Sequence, residues 1–352
     1  MKKACFLFLF VFLISCSSTV PLPGNLTHPS TKSDFKLTIE FLPTPLKEKK
    51  NYPVVICHGL MANRNYFKIN GDTSLVKSLL NSGFDVYLVE LRGRESAGGV
   101  NLFWGNSYLS YGFDEYVEED VPTLIESVLK LSNAPKIHWV GHSMGGMVMY
   151  ARLGIKKDER IASLTTIGSP LYFPFPSKTL RSWNTFSILL NLTPLIPTRP
   201  FAKSYGTISF PYLPKGYLRD MILYEENATP ELREALYRNS VENVANKEAK
   251  QFSNALEGSG FQSRNGVLYT QNLKNIETPL LAIAGRRDHL GSPGDVRMIF
   301  DSVSSKEKRY YIVEKSGGAK EEYGHTDLVM GTYASLDVFP VVLEWLKQED
   351  KK

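Results

Sequence analysis

Gly141-His142-Ser143-Met144-Gly145-Gly146 is the stretch on which the reading of this chain turns. Before it runs Lys136-Ile137-His138-Trp139-Val140, short and mostly apolar, which predicts a buried strand. After it, Met147-Val148-Met149-Tyr150-Ala151-Arg152-Leu153 predicts a helix. Strand, tight turn and helix around Gly-x-Ser-x-Gly form a nucleophile elbow. The turn forces its central residue into a strained backbone conformation and presents the hydroxyl at the top of the sheet. Side chains at Gly141 and Gly145 would collide with neighbouring backbone. Ser143 then stands at a helix N-terminus, where free N–H groups and the dipole favour developing negative charge. A glycine-rich turn can carry this pattern by chance, so the partners matter.

A nucleophilic serine needs a base, and the base needs a group to orient it. With this elbow the partners follow in the order Ser, Asp or Glu, His. The strand-like run Pro279-Leu280-Leu281-Ala282-Ile283-Ala284-Gly285 is followed three residues later by Asp288. That puts Asp288 past a strand's C-terminal end, where catalytic groups of open parallel sheets gather. Asp295 and Asp301 are weaker candidates, because both fall in the next helical pattern. His289 reads as a bystander. The last strand, Arg309–Val313, leads into Gly317-Gly318 and then Tyr323-Gly324-His325-Thr326-Asp327-Leu328. His325 is the only histidine after that strand and is the candidate base, with Asp327 holding its loop. The intermediate's negative charge needs preorganised donors. The N–H of Met144 is one. Leu60, in the loop His58-Gly59-Leu60-Met61, is the other, with Met61 second and His58 as scaffold.

Strands are expected at Phe35–Leu42, Pro53–Cys57, Asp85–Leu91, Lys136–Gly141, Ala162–Ile167, Pro279–Gly285 and Arg309–Val313. Helical patterns cover Asp114–Leu131 and Pro293–Val303, and Leu336–Leu346 closes the chain. Short apolar strands alternating with helices predict an α/β fold, a mostly parallel sheet flanked by helices. About a hundred residues between Gly168 and Pro279 break the alternation. They hold Phe173, Phe175, Trp183, Phe186, Leu189, Leu190, Leu192, Leu195, Ile196, Tyr212, Tyr217 and a helix-like run, Pro230–Asn239. So long a loop without structure is improbable. A mostly helical cap is expected, with its own core and part of its surface lining a pocket. The core would then comprise residues 35–170 and 278–349, and the cap residues 171–277.

The chain opens with Met1-Lys2-Lys3 and an apolar run too short to span a bilayer as a helix. Leu13-Ile14-Ser15-Cys16 resembles the lipobox of bacterial lipoproteins. That implies a signal peptide over 1–15, cleavage before Cys16 and a lipid on Cys16. The localisation implied is a bacterial cell envelope, at the outer membrane if the cell is Gram-negative. An ordinary secretory signal with an incidental Cys is the alternative. Residues 17 to about 33, rich in Ser, Thr, Pro and Gly, read as a flexible tether. Of three cysteines only Cys57 would remain free, in an apolar run, as a small core residue. Once Lys2 and Lys3 leave, 39 basic residues face 36 acidic ones, too balanced for a nucleic-acid partner. No metal-ligand spacing, phosphate loop or dinucleotide motif appears, so no cofactor or metal is expected.

These pieces resemble the α/β-hydrolase fold family from about Phe35 to Lys347. His58-Gly59-Leu60-Met61-Ala62 with Asn65-Tyr66 is similar to the oxyanion loop of acid lipases. Phe113-Asp114-Glu115-Tyr116 with Asp120-Val121-Pro122 is similar to the segment before their nucleophile strand, and to polyhydroxyalkanoate synthases. His325-Thr326-Asp327-Leu328 fits the same group's histidine loop. Acid lipases usually carry Gln where this chain has Met144, and the synthases use Cys where it has Ser143. The resemblance implies a serine hydrolase with the triad Ser143, Asp288 and His325, acting on acyl esters or lipids. Amide hydrolysis, acyl transfer to an acceptor other than water, and a non-catalytic binding protein are the alternatives. The sequence leaves the oligomeric state open. Cys16→Ala should abolish incorporation of labelled fatty acid and release the protein from membranes on fractionation. A variant that stays on membranes without label would show another anchor.

Overall fold

Runs of four to seven apolar residues, too short for helices, become strands here. The computed structural model describes residues 24–99, 111–174, 176, 180, 195–204, 222–257 and 260–351. In chain order the strands are β1 (Asn25–Thr27), β2 (Thr38–Leu42), β3 (Val54–Cys57), β4 (Val86–Glu90), β5 (Ile137–His142), β6 (Ile161–Ile167), β7 (Leu195–Ile196), β8 (Val244–Ala245), β9 (Leu280–Gly285) and β10 (Lys308–Val313). β7 and β8 pair in a small antiparallel ribbon, and the other eight form one sheet in the order β1-β2-β4-β3-β5-β6-β9-β10. β3 through β10 run parallel in that sheet, while β1 and β2 lie antiparallel at one edge. The strand order therefore reverses between β3 and β5. In open parallel sheets the crevice at such a reversal, at the strands' C-terminal ends, is where ligands bind.

The core explains why these strands read as continuous apolar runs. Along β9, Leu280, Ala282 and Ala284 join one buried cluster, while Leu281 and Ile283 join the cluster on the opposite face. β3 alternates likewise: Val55 and Cys57 lie on one side, Val54 and Ile56 on the other. Both faces are covered, so neither register position can be polar. Cys57 is a free, buried thiol whose pKa burial pushes up, so it is a small core residue without nucleophilic character.

Three segments differ from the sequence expectation. Asn25–Thr27 pairs with Ile39–Phe41, and Leu37 N donates to Pro29 O at 2.8 Å. The second half of the expected tether is thus a hairpin on the sheet edge. Its three strand residues are exposed, so no apolar pattern announces it. The single helix expected over Asp114–Leu131 is instead a first turn, Phe113–Glu115, a wide turn, Tyr116–Asp120, and then Val121–Ser132. Pro122 has no N–H to return to Glu118 O, and Val121 N bonds Tyr116 O five residues back instead. This wide turn carries Asp120, which accepts from Arg92 N at 2.9 Å and Arg92 Nε at 2.7 Å and so fixes the loop after β4. The last helix begins at Phe339 and runs to Glu349, because Pro340 fits only a first turn.

The described part of the insertion holds the β7–β8 ribbon and the helices Thr198–Ser204, Pro230–Asn239 and Asn246–Glu257. Cys16, Phe175, Trp183, Phe186, Leu189, Leu190, Leu192, Tyr212 and Tyr217 lie outside the described residues.

Candidate active site

β5 ends at His142, and the helix Met144–Ile155 starts one residue after Ser143. Ser143 holds φ 52° and ψ −122°, a conformation that non-glycine residues rarely adopt. It is held by Ser143 N donating to Ile167 O at 2.8 Å, and by Gly146 N and Met147 N donating to Ser143 O. A Cβ on Gly141 would stand inside 3.0 Å of the backbone of Gly145 and Gly146. One on Gly145 would stand equally close to the carbonyls of Cys57 and His58. The glycines on either side of Ser143 are therefore required by backbone packing.

His325 and Asp288 meet across the same edge. His325 Nδ1–H donates to Asp288 Oδ2 at 2.8 Å, and both residues are almost fully buried. The other oxygen, Asp288 Oδ1, accepts from Leu290 N at 2.8 Å and Gly291 N at 2.7 Å, so the carboxylate cannot turn. Gly168, at φ 57°, makes room for the pair: a Cβ there would lie 2.9 Å from Asp288 Oδ2 and 3.2 Å from His325 Nδ1. Asp295 instead caps its own helix through Ser292, and Asp301 pairs with Arg297 on the surface. The His325 ring lies 4.7 Å from that of His142, the residue before Ser143.

Met144 follows Ser143 in the chain, and the loop that carries Leu60 reaches Ser143 through Gly59. Met144 opens its helix, where N–H groups have no intrahelical acceptor. Gly59 packs so closely that its Cβ would be 3.0 Å from Ser143 Cβ. Gly59 O accepts from His58 Nδ1–H at 2.9 Å and from Ala62 N at 3.3 Å. That carbonyl belongs to the same peptide unit as Leu60 N–H, so anchoring one aims the other. His58 is the scaffold residue the sequence suggested. Its Nε2 accepts from Leu91 N at 3.2 Å, and burial, with Arg94 nearby, pushes its pKa down to about 3, which keeps it neutral. Met61 completes the turn at φ 58°.

The inserted segment grips both loops. Glu242 N donates to Met61 O at 2.8 Å and Asn63 N to Ser240 O at 3.0 Å, on the oxyanion side. On the other side Thr326 N donates to Ile222 O at 2.8 Å and Thr332 N to Asn227 O at 2.8 Å. Asp327 is the hub there, accepting from Tyr224 N at 3.0 Å, Gly324 N at 2.9 Å and Asn227 Nδ2 at 3.3 Å. Sequence reasoning gave Asp327 a loop-holding role but did not find its partners, which lie a hundred residues away in the cap. It also missed Tyr66 and His142, whose side chains bond beneath Ser143. A histidine inside the Gly-x-Ser-x-Gly motif was the available signal.

Comparison with known proteins agrees with this geometry. A family model described as alpha/beta hydrolase fold matches residues 52–187. The poly(3-hydroxyalkanoate) polymerase subunit of Haloferax mediterranei is 24% identical over 93% of this chain, which spans 65% of that relative's length. Human gastric triacylglycerol lipase is 23% identical, with 92% of this chain and 87% of the lipase covered. Among solved structures, a thermophilic esterase from Thermogutta terrifontis superposes with a TM-score of 0.58 at 17% identity, covering 93% of this chain and 99% of the esterase. The chain has the α/β-hydrolase fold.

Burial pushes the Asp327 carboxyl up to about 7, against the N–H donors that pull it down. The folded chain therefore holds a proton there that the unfolded chain releases near pH 4. Across the window from about 4 to 7 this group makes stability fall as pH rises. Asp327→Asn should remove that contribution, so urea titrations at pH 5, 6 and 7 should show the gap between variant and wild type changing with pH. A constant gap would mean that Asp327 does not titrate in this range.

Proposed function

We propose that this chain cleaves carboxylic esters of apolar acyl groups through an acyl-enzyme on Ser143. The observation that carries the proposal is the His325–Asp288 pair at 2.8 Å, its imidazole 4.7 Å from the ring of His142, which precedes a serine in a strained turn at the C-terminal edge of the sheet. In this reading Ser143 Oγ attacks the ester carbonyl while His325 Nε2 takes its proton. Asp288 stabilises the imidazolium through Nδ1–H. The N–H groups of Leu60 and Met144 stabilise the oxyanion, each worth about 3–4 kcal/mol of barrier. The intermediate collapses, and His325 returns the proton to the departing alkoxide, which leaves as an alcohol. A water activated by the same His325 then releases the acid and restores Ser143.

The walls support an apolar acyl group. Leu60 and Leu290, which flank the oxyanion turn and Asp288, are half-buried against a core cluster that also contains Leu171, Phe173 and Phe261. Each methylene buried there contributes about 0.8 kcal/mol, close to fourfold in affinity. A lipid on Cys16 would hold the enzyme where such esters partition. Acyl transfer to an acceptor other than water is the second reading, favoured by the full-chain likeness to a polymerase subunit.

A fluorophosphonate probe should label the wild type and spare Ser143→Ala. With p-nitrophenyl esters, kcat/KM should rise from acetate toward octanoate. A steep fall after butyrate would sink the apolar pocket and leave a short-chain esterase. Ester products appearing when a second alcohol is supplied, in place of free acid, would favour the transferase.

A further inference from the structure

The polar atoms beneath Ser143 form one directed chain. Gly59 N–H donates to Tyr66 Oη at 3.2 Å. Tyr66 Oη then lies 2.8 Å from His142 Nδ1. His142 Nε2 lies 3.1 Å from His325 O, a carbonyl that can only accept. So His142 carries its proton on Nε2, and its Nδ1 must accept from the phenol. One tautomer satisfies every bond. Burial keeps both members in that state: it holds the His142 imidazole far below its usual range, hence neutral, and the Tyr66 phenol far above its own, hence protonated.

We propose that Tyr66 and His142 are positioning residues that hold the oxyanion loop and the base loop in register around Ser143. This rests on the reading of Ser143 and His325 as the reacting groups. The chain ends on two backbone atoms that matter for that chemistry. Gly59 N restrains the residue preceding the Leu60 donor. His325 O fixes the main chain of the base, which Asp288 grips only by its ring. Ser143 lies between, directly bonded to His142. An apolar pair would serve packing better at these positions. On the same strand Ile137, Trp139 and Val140 pack in the core, and the other buried histidine, His138, is likewise paired, with Ser163 Oγ at 2.8 Å, as an unpaired buried polar group is costly. The pairing of each polar atom offsets that cost and supplies direction, which apolar contacts lack.

Tyr66→Phe keeps the ring and its packing on Phe67 and His142 while removing the hydroxyl. Its kcat on the best ester should fall about tenfold with KM nearly unchanged, since placement of reacting groups and not binding is lost. His142→Phe should do the same. His142→Gln, which retains an N–H that can reach His325 O, should recover part of the loss. The double Tyr66→Phe/His142→Phe variant should cost little more than the worse single change, because one chain is broken only once. Leu79→Ala, fully buried on the helix Leu75–Asn81, serves as a control for loss of stability and should keep its kcat at a temperature where it is folded. Wild-type kcat in Tyr66→Phe, additive losses in the double variant, or losses no larger than those of the control at equal destabilisation would overturn the proposal. Ser143→Ala measured beside them keeps the two claims apart: activity surviving there would defeat the reading of the site, whatever Tyr66→Phe does.

Discussion

The catalytic edge depends on one backbone contact, Gly145 against the carbonyls that end β3. No side chain fits there, since even a Cβ would stand inside 3.0 Å of Cys57 and His58. The contact brings the helix after Ser143 down onto the loop after β3, so that Gly59 of that loop packs against Ser143 Cβ. Its consequence is the strained φ of 52° at Ser143, a cost of about 1–3 kcal/mol for such a conformation. That strain persists because β6 takes the Ser143 N–H and the helix takes its carbonyl. Chain order then settles the other partners, as β9 and β10 lie beyond β6 and their loops open on the same edge.

Much of this was legible in the sequence, for a physical reason. Strands covered on both faces are mostly apolar, so β3 and β9 announce themselves as short runs, while β5 and β6 also bury polar residues, His138 on one and Ser163, Thr165 and Thr166 on the other. Asp288 and His325 could be placed because each follows such a run, and they do meet. What stayed hidden lacks a periodic signature. β1 has three exposed residues and is held only by main-chain bonds to β2. The wide turn at Tyr116–Asp120 follows from one missing N–H at Pro122. Tyr66 and His142 stand within segments the sequence singled out, but only coordinates show that their polar atoms are paired end to end.

The insertion is part of the catalytic frame. Its helix Pro230–Asn239, roughly 15 Å long at 1.5 Å per residue, has one tie at each end. Ile222 to Asn227 hold the base loop, and Ser240 to Glu242 hold the oxyanion loop. Lifting this helix would break main-chain bonds on both sides of Ser143 together. A helix used in this way is a strut between the two loops on either side of Ser143.

Electrostatics completes the selection of the base. The chain has six histidines, and three of them, His58, His142 and His325, surround Ser143. An imidazole accepts a proton only where its surroundings stabilise the resulting charge. Burial forbids it for two. His58 has only a backbone carbonyl and a backbone N–H as partners, with Arg94 nearby to repel a charge. His142 has a phenol and a carbonyl, and the His325 ring beside it. Neither has an anion to offset the cost of charging in a water-poor site. His325 alone has a carboxylate at 2.8 Å, itself immobilised by two N–H donors. On the proposed mechanism, three neighbouring imidazoles thus divide into two neutral struts and one proton acceptor, a division made by their partners.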